Sequence, residues 1–233
     1  ATGHYGRIEE AAGLFHLHRA PDPVKDQSYF LSHLSQQQLA HALFPVGGMQ
    51  KREVRELATK YGLPNRERKD SQGICFLGKI RYPEFIRHYL GERPGKIIER
   101  VSGRVLGEHR GYWFHTIGQR QGLGLGNGPW YVVEKDVEKN IIYVAHGEDR
   151  SARERRRFTV CDPSWIAQVP TSGRYEIKLR HGPELLPCSM EWIDERRMRV
   201  ETDRPDEGIA PGQFTVFYRG DECLGGARIE GSE

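Results

Sequence analysis

Apolar residues recur at two different periods along this chain. Between residues 35 and 90 they fall three and four apart, the helical spacing. Ser35 followed by Gln38 makes a capping box ahead of Leu39, Ala40 and Leu43, and Phe44-Pro45-Val46-Gly47-Gly48 stops that helix. Val54, Leu57, Ala58 and Tyr61 mark a second amphipathic helix, ended by Gly62 and Pro64. A third runs from Pro83, in its first turn, to Leu90, with Phe85, Ile86, Tyr89 and Leu90 as the expected buried face. From Gly95 the period drops to two. Short strands are expected at Lys96–Glu99, Trp113–Thr116, Trp130–Val133 and Ile141–Ala145. Beyond residue 158 the alternation is cleaner: Tyr175, Ile177 and Leu179 share one face, as do Phe214, Val216 and Tyr218. Short strands separated by Gly- and Pro-bearing turns predict a small closed barrel. Ala1–Tyr5 reads as the end of a strand running into a turn, and the Arg-rich run at 150–157 as a linker. The fold class is therefore α+β, with helices first, then a small mixed domain and a C-terminal all-β barrel.

Length and composition narrow this only a little. A chain of 233 residues fits one large domain or two small ones and buries a core without needing disulfides. Cys75, Cys161, Cys188 and Cys223 lie far apart, which fits reduced thiols in an intracellular compartment better than a secreted disulfide framework. No apolar run approaches the roughly 18 residues of a membrane span, and no signal-peptide pattern is visible, so no membrane partner is expected. The net charge of +3 is too small to establish a nucleic-acid partner. Its distribution says more: Arg150, Arg153, Arg155, Arg156 and Arg157 crowd one segment, and Arg66, Arg68 and Lys69 lead towards Cys75. Such clusters neutralise phosphates or simply form solvated loops.

Three stretches could carry chemistry. Lys69-Asp70-Ser71-Gln72-Gly73-Ile74-Cys75-Phe76-Leu77-Gly78 places one thiol in a glycine-flanked turn beside a cation, which favours the thiolate. A half-buried structural cysteine is the other reading. Lys25-Asp26-Gln27-Ser28-Tyr29-Phe30 is a dense polar run. Its Gln can read a base edge and its Lys can meet a phosphate, while Asp26 or Ser28 could equally cap a helix. Gly118 to Gly128 is glycine-rich, but no βαβ unit surrounds it, so a loop that lets its backbone approach another surface is expected, not a dinucleotide site. The histidines do not fall at metal-ligand spacing, and no bound metal is expected.

Together these strings resemble one family, the tRNA-specific 2-thiouridylases of bacteria and mitochondria. The strings are Ala1-Thr2-Gly3-His4-Tyr5, Lys25 to Leu31, Phe44-Pro45-Val46-Gly47, Lys69-Asp70-Ser71 and Gly73-Ile74-Cys75-Phe76. They continue with His115-Thr116-Ile117-Gly118-Gln119-Arg120, Pro129 to Val133, Lys135-Asp136, Pro211-Gly212-Gln213 and Cys223-Leu224-Gly225-Gly226. The resemblance implies 2-thiouridine synthesis at the wobble uridine of tRNAs for Lys, Glu and Gln. ATP, with Mg in the full-length enzyme, adenylates the uracil C2 oxygen. A cysteine persulfide, a soft nucleophile, then delivers sulfur to a base that has left the anticodon stack. A cysteine desulfurase or sulfur relay would charge the cysteine.

Carried over by position, the resemblance makes Cys75 the persulfide cysteine, with Asp70 and Ser71 in its loop. Gly3 would touch ATP. His4, Lys25, Asp26, Gln27, Arg180, His181 and Gln213 would touch tRNA. Residues 1–80 would be the C-terminal part of the catalytic domain interleaved with central-domain elements, 81–149 the central domain, and 150–233 the tRNA-binding barrel. A monomer in the cytoplasm or mitochondrial matrix is implied. The chain departs from the family in lacking its Ser-Gly-Gly-x-Asp-Ser ATP-binding loop and its second catalytic cysteine, the disulfide partner of the first. It has no initiator methionine, and is expected to be a fragment that is inactive alone. A non-catalytic tRNA-binding or assembly module, and a free persulfide carrier, are the competing readings.

Overall fold

The computed structural model describes residues 1–67, 81–149 and 155–232. They form two compact units. One joins residues 1–67 to 156–205 and 209–232; the other holds 81–149 with 155 and 206–208.

In the first unit six strands close a barrel: β7 (Arg155–Trp165), β8 (Gly173–Lys178), β9 (Leu186–Trp192), β10 (Arg197–Asp206), β11 (Phe214–Arg219) and β12 (Glu222–Ser232). The spatial order is β12-β11-β8-β9-β10-β7, and β12 pairs again with β7 to complete the circle. Closure leaves no free edge within the barrel. Of the two alternating sets read in the sequence, Tyr175, Ile177 and Leu179 face the barrel core, whereas Val216 and Tyr218 face a second core outside the barrel and Phe214 is exposed. Phe158, Val160, Ile177, Met198, Val200, Phe217 and Ile229 are all completely buried in one core. Gly225 belongs to that closure. Its φ is 141°, and an added Cβ would stand 2.1 Å from the Ser164 carbonyl oxygen, so only glycine lets β12 lie against β7 there.

The outer face of this barrel is not left to water. β1 (Arg7–Ala11) and β2 (Leu14–His18) form an antiparallel hairpin, and β2 adds to β12 through His18 opposite Glu222 and Leu17 opposite Cys223. Two short helices follow, α1 (Ser28–Leu31) and α2 (Gln36–Ala40). Leu17, Leu31 and Leu39 pack with Val216, Tyr218 and Cys223 in a second core. β11 is therefore buried on both faces, Phe217 inwards and Val216 and Tyr218 outwards. The Gln36 amide stitches this cover on, donating to the carbonyls of Phe15 (2.6 Å) and Ile166 (2.7 Å) and accepting from the Phe15 N–H (2.8 Å). The Ser35–Gln38 capping box forms as its sequence predicts. α3 (Lys51–Lys60) also lies where its apolar spacing predicts.

The second unit contains α4 (Tyr82–Leu90) and a four-stranded sheet of β3 (Gly95–Glu99), β4 (Val105–His109), β5 (Trp130–Asp136) and β6 (Ile141–His146). The order is β4-β3-β6-β5, and β3 and β6 run parallel within an otherwise antiparallel sheet. Ile97, Val132, Ile142 and Val144 fill its core, joined by Leu123 from the glycine-rich loop. That loop donates its own leucine to the core and accepts the Trp130 indole N–H at the Gly126 carbonyl (2.9 Å).

Several sequence expectations require correction. The β1–β2 hairpin lies ahead of the helices, in a part of the chain whose sequence predicts helices first; β1 carries Arg7, Glu9 and Glu10 with only Ile8 and Ala11 apolar, too few to show a period of two. Trp113–Thr116 is not a strand: Tyr112–Phe114 forms a 3-10 turn after Gly111, at φ 146°. No strand includes residues 1–5. Arg155–Arg157 opens β7 and is not linker, with Arg157 paired to Glu201 at 3.1 Å; residues 150–154 lie outside the described residues. The apolar stripe of α4 is not buried: Phe85, Tyr89 and Leu90 are exposed, Tyr89 at 68%. Its spacing is helical, but spacing says nothing about what covers the stripe.

Candidate functional site

The loop entering α1 is built around Asp26, a carboxylate with no solvent exposure. Lys178, on β8, is likewise buried and donates from Nζ to Asp26 Oδ2 at 2.6 Å. Ser28 Oγ donates to the same oxygen at 3.0 Å, and the N–H groups of Ser28 and Ala20 donate to Oδ1, each at 3.2 Å. Arg19 Nε stands 3.6 Å from Oδ2. Because the single Ser28 hydroxyl proton points at Asp26, the Tyr218 hydroxyl 3.1 Å away donates to Ser28, which makes a directed chain Tyr218→Ser28→Asp26. Burial by itself would raise the Asp26 pKa. The Lys178 hydrogen bond and charge and the Ser28 hydrogen bonds outweigh it, and the carboxyl sits below its ordinary value. Tyr218 is pushed the other way, chiefly by burial, and stays protonated.

This buried knot fixes the backbone that carries the polar run. Gln27 clamps the N-terminal segment: its N–H donates to the Tyr5 carbonyl (2.8 Å) and its side-chain oxygen accepts from the Tyr5 N–H (2.9 Å). The amide NH2 of Gln27 is the end of the side chain not used in that clamp. His4 is thereby held one residue away, with Nδ1 2.9 Å from the Thr2 hydroxyl and its ring edge-on to Phe44. On the other side, His181 Nε2 lies 3.1 Å from the Asp26 carbonyl oxygen, and the His181 ring stacks on Phe30 at 5.0 Å and 20°. The Tyr29 hydroxyl donates to the Phe214 carbonyl at 3.0 Å, beside Gln213.

Of the residues singled out in the sequence, His4, Lys25, Asp26, Gln27 and His181 converge on this loop, with Arg180 next to His181 in the chain and Gln213 next to Phe214. Lys25 and Gln27 are half-buried, Arg180 and His181 exposed, and Asp26 is wholly inside. Its side chain therefore anchors the loop. Gly3 lies on exposed backbone, where an added Cβ would meet nothing within 4 Å. One glycine in open space does not make a nucleotide site, so no ATP-dependent step is built on these residues. Cys75, Asp70 and Ser71 lie outside the described residues. The other three cysteines are buried and free. Burial foremost pushes the Cys188 and Cys223 thiols up to about 12, which leaves them protonated and inert at neutral pH.

Lys178, Tyr218 and Arg19 were not found from the sequence. Alternation along β8 puts Lys178 on the outer face with Glu176, where a lysine reads as solvated. Only the cover laid over that face makes it interior. Among the described residues no helix is long and apolar enough to cross a membrane.

Three family models match the chain. Residues 1–79 match the tRNA methyl transferase HUP domain, 83–146 the tRNA methyl transferase PRC-barrel domain, and 155–229 the aminomethyltransferase beta-barrel domain. Over 236 residues the chain is 48% identical to the tRNA-specific 2-thiouridylase MnmA 2 of Bacteroides fragilis, covering 98% of this chain and 67% of that protein. It is 48% identical to the tRNA-specific 2-thiouridylase MnmA of Parabacteroides distasonis, covering 98% of this chain and 66% of that one. With that of Nitrosomonas europaea it shares 44% over 240 residues, covering 100% of this chain and 66% of the relative. The chain thus spans about two thirds of the length of the curated relatives it matches.

Proposed function

The chain belongs to the tRNA-specific 2-thiouridylase family, and from that premise we propose that it supplies the sulfur-bearing cysteine and much of the tRNA-binding face of a tRNA-uridine 2-sulfurtransferase. The observation that carries this reading is the convergence of residues 25–27 and 180–181, far apart in sequence, through the His181–Asp26 contact of 3.1 Å. It sets cations, an amide and imidazoles on one surface. Lys25 and Arg180 meet phosphates, and the Gln27 amide and the His4 ring read an unstacked base. Asp26, tied down by Lys178 and the Tyr218–Ser28 chain, positions them.

Cys75 is the sulfur carrier in this reading. The buried, protonated state of Cys188 and Cys223 supports that assignment, because neither can offer a thiolate at neutral pH. Sulfur would reach the Cys75 thiolate as a persulfide from a cysteine desulfurase or relay. A second cysteine, which this sequence lacks, would take the Cys75 sulfur into a disulfide as the S–S bond of the persulfide is cleaved. The outer sulfur would bond to C2 of the adenylated wobble uridine of tRNAs for Lys, Glu and Gln as the C2–O bond breaks and AMP leaves. ATP-dependent activation of that carbon falls to residues outside this sequence, and the chain by itself binds tRNA without thiolating it.

A whole enzyme assembled with the ATP-binding portion of a relative tests this. Cys75→Ala is expected to abolish 2-thiouridine in digested tRNA and to leave the tRNA Kd unchanged. Retained 2-thiouridine would remove Cys75 from the chemistry. An assembled wild type that binds tRNA but makes no 2-thiouridine would favour the binding-module reading, motivated by the missing Ser-Gly-Gly-x-Asp-Ser loop.

A further inference from the structure

We propose that Phe30 is a stacking platform for one unstacked nucleobase of a bound RNA. The inference rests on the tRNA-binding reading above and adds to it the subsite that holds a base. Phe30 is 64% exposed, although it sits in a four-residue helix whose other apolar end, Leu31, is buried in the second core. Its exposure is not that of a loose side chain. The His181 ring backs it at 5.0 Å and 20°, and the Tyr29 ring meets it edge-on at 5.5 Å and 84°.

Both supports are themselves held. His181 is tied to the Asp26 carbonyl at 3.1 Å, and the Tyr29 hydroxyl to the Phe214 carbonyl at 3.0 Å. No further ring lies against Phe30 among the described residues. A rigid aromatic with one face backed and most of its surface in water offers a preorganised surface to a planar partner.

The surroundings favour a nucleobase over an apolar protein segment. Gln27 stands one helical turn earlier, its carbonyl accepting the Phe30 N–H at 3.0 Å. Arg180 adjoins His181 in the chain, and Lys25 adjoins the Asp26 knot. Aromatic face, amide and cations together are what single-stranded RNA binders combine: stacking for the base, hydrogen bonds for its edge and charge for the backbone.

The test titrates a labelled anticodon stem-loop RNA into this chain at fixed salt, with wild type, Phe30→Ala, Phe30→Leu and Phe30→Trp compared. RNAs carrying one abasic site at each loop position in turn are titrated as well. Phe30→Ala and Phe30→Leu are expected to weaken binding about tenfold to a hundredfold, and Phe30→Trp to preserve it. The salt dependence should be the same in all four, since no phosphate contact is removed. One abasic position should weaken wild type but cost Phe30→Ala nothing further. Thermal melts of the three variants within those of wild type would exclude misfolding as the cause.

Wild-type affinity in Phe30→Ala, or in Phe30→Leu, overturns the platform alone. So does the absence of any abasic position coupled to Phe30, which is the result if a protein segment covers this ring. A wild-type chain that binds no RNA overturns the tRNA-binding reading together with it.

Discussion

Replacing Lys178 by Met would show whether the buried ion pair holds the loop. The substitution keeps most of the side-chain volume and removes only the ammonium that lies 2.6 Å from Asp26 Oδ2. Removing one partner of a buried pair typically costs about 3 to 5 kcal/mol, because the other charge is left without compensation. Here the carboxylate would keep the Ser28 hydroxyl, two backbone N–H groups and Arg19 at 3.6 Å. The lower end, about 3 kcal/mol or roughly a hundredfold in the folding equilibrium, is therefore expected.

The pH dependence follows from the same groups. In the wild type the folded-state pKa of Asp26 lies below its ordinary value, so its stabilisation is present above the unfolded pKa of about 3.9 and is lost as pH falls through the folded value. In Lys178→Met burial dominates and the folded pKa rises above the unfolded one, so stability is lost as pH rises. The gap between the two proteins should widen from about pH 3 towards neutrality. Urea unfolding followed by the fluorescence of Trp165 and Trp192, which pack together against the barrel core, reads this gap. Asp26→Asn combined with Lys178→Met should be less unstable than the sum of the single changes. A gap below about 1 kcal/mol at neutral pH, or one that does not shrink on acidification, would refute the pairing.

Two further stability predictions concern other parts of the chain. Gly47→Ala would place a Cβ 1.8 Å from the Gly6 carbonyl oxygen, which belongs to backbone that cannot step aside. It should cost about 1–3 kcal/mol, while Gly48→Ala, with nothing within 4 Å, should stay within about 0.5 kcal/mol; equal melting temperatures for the two would contradict the packing. His115 is buried with no partner for Nδ1 among the described residues, and burial foremost, then the charges of His109 and Lys135, lowers its pKa to about 4. Its folded pKa lies below its unfolded one, so stability should fall by about 1.5 kcal/mol between pH 6.5 and pH 5. That slope should be smaller in His115→Gln, and an unchanged slope would move the effect to another group.

What the sequence by itself determined is local. The Ser35–Gln38 capping box, the apolar spacing of α3, Pro83 at the start of α4 and the alternation along β8 and β11 each depend on neighbours within a few residues, so periodicity reports them directly. The ordered strings from Ala1 to Gly226 carried the family by the same means. What only the tertiary structure decided depends on closure. A barrel brings β12 to β7 and then adds the β1–β2 hairpin to β12, and no period in a strand names its partner. Lys178 alternates as an outward residue, yet the first forty residues cover that face and turn it into half of a buried ion pair. The same cover carries Asp26 inside, clamps Gln27 to Tyr5 and sets His181 beneath Phe30. Burial of a charge, and the meeting of loops some 150 residues apart, are properties of which surfaces face each other, and that is settled only when the chain has packed.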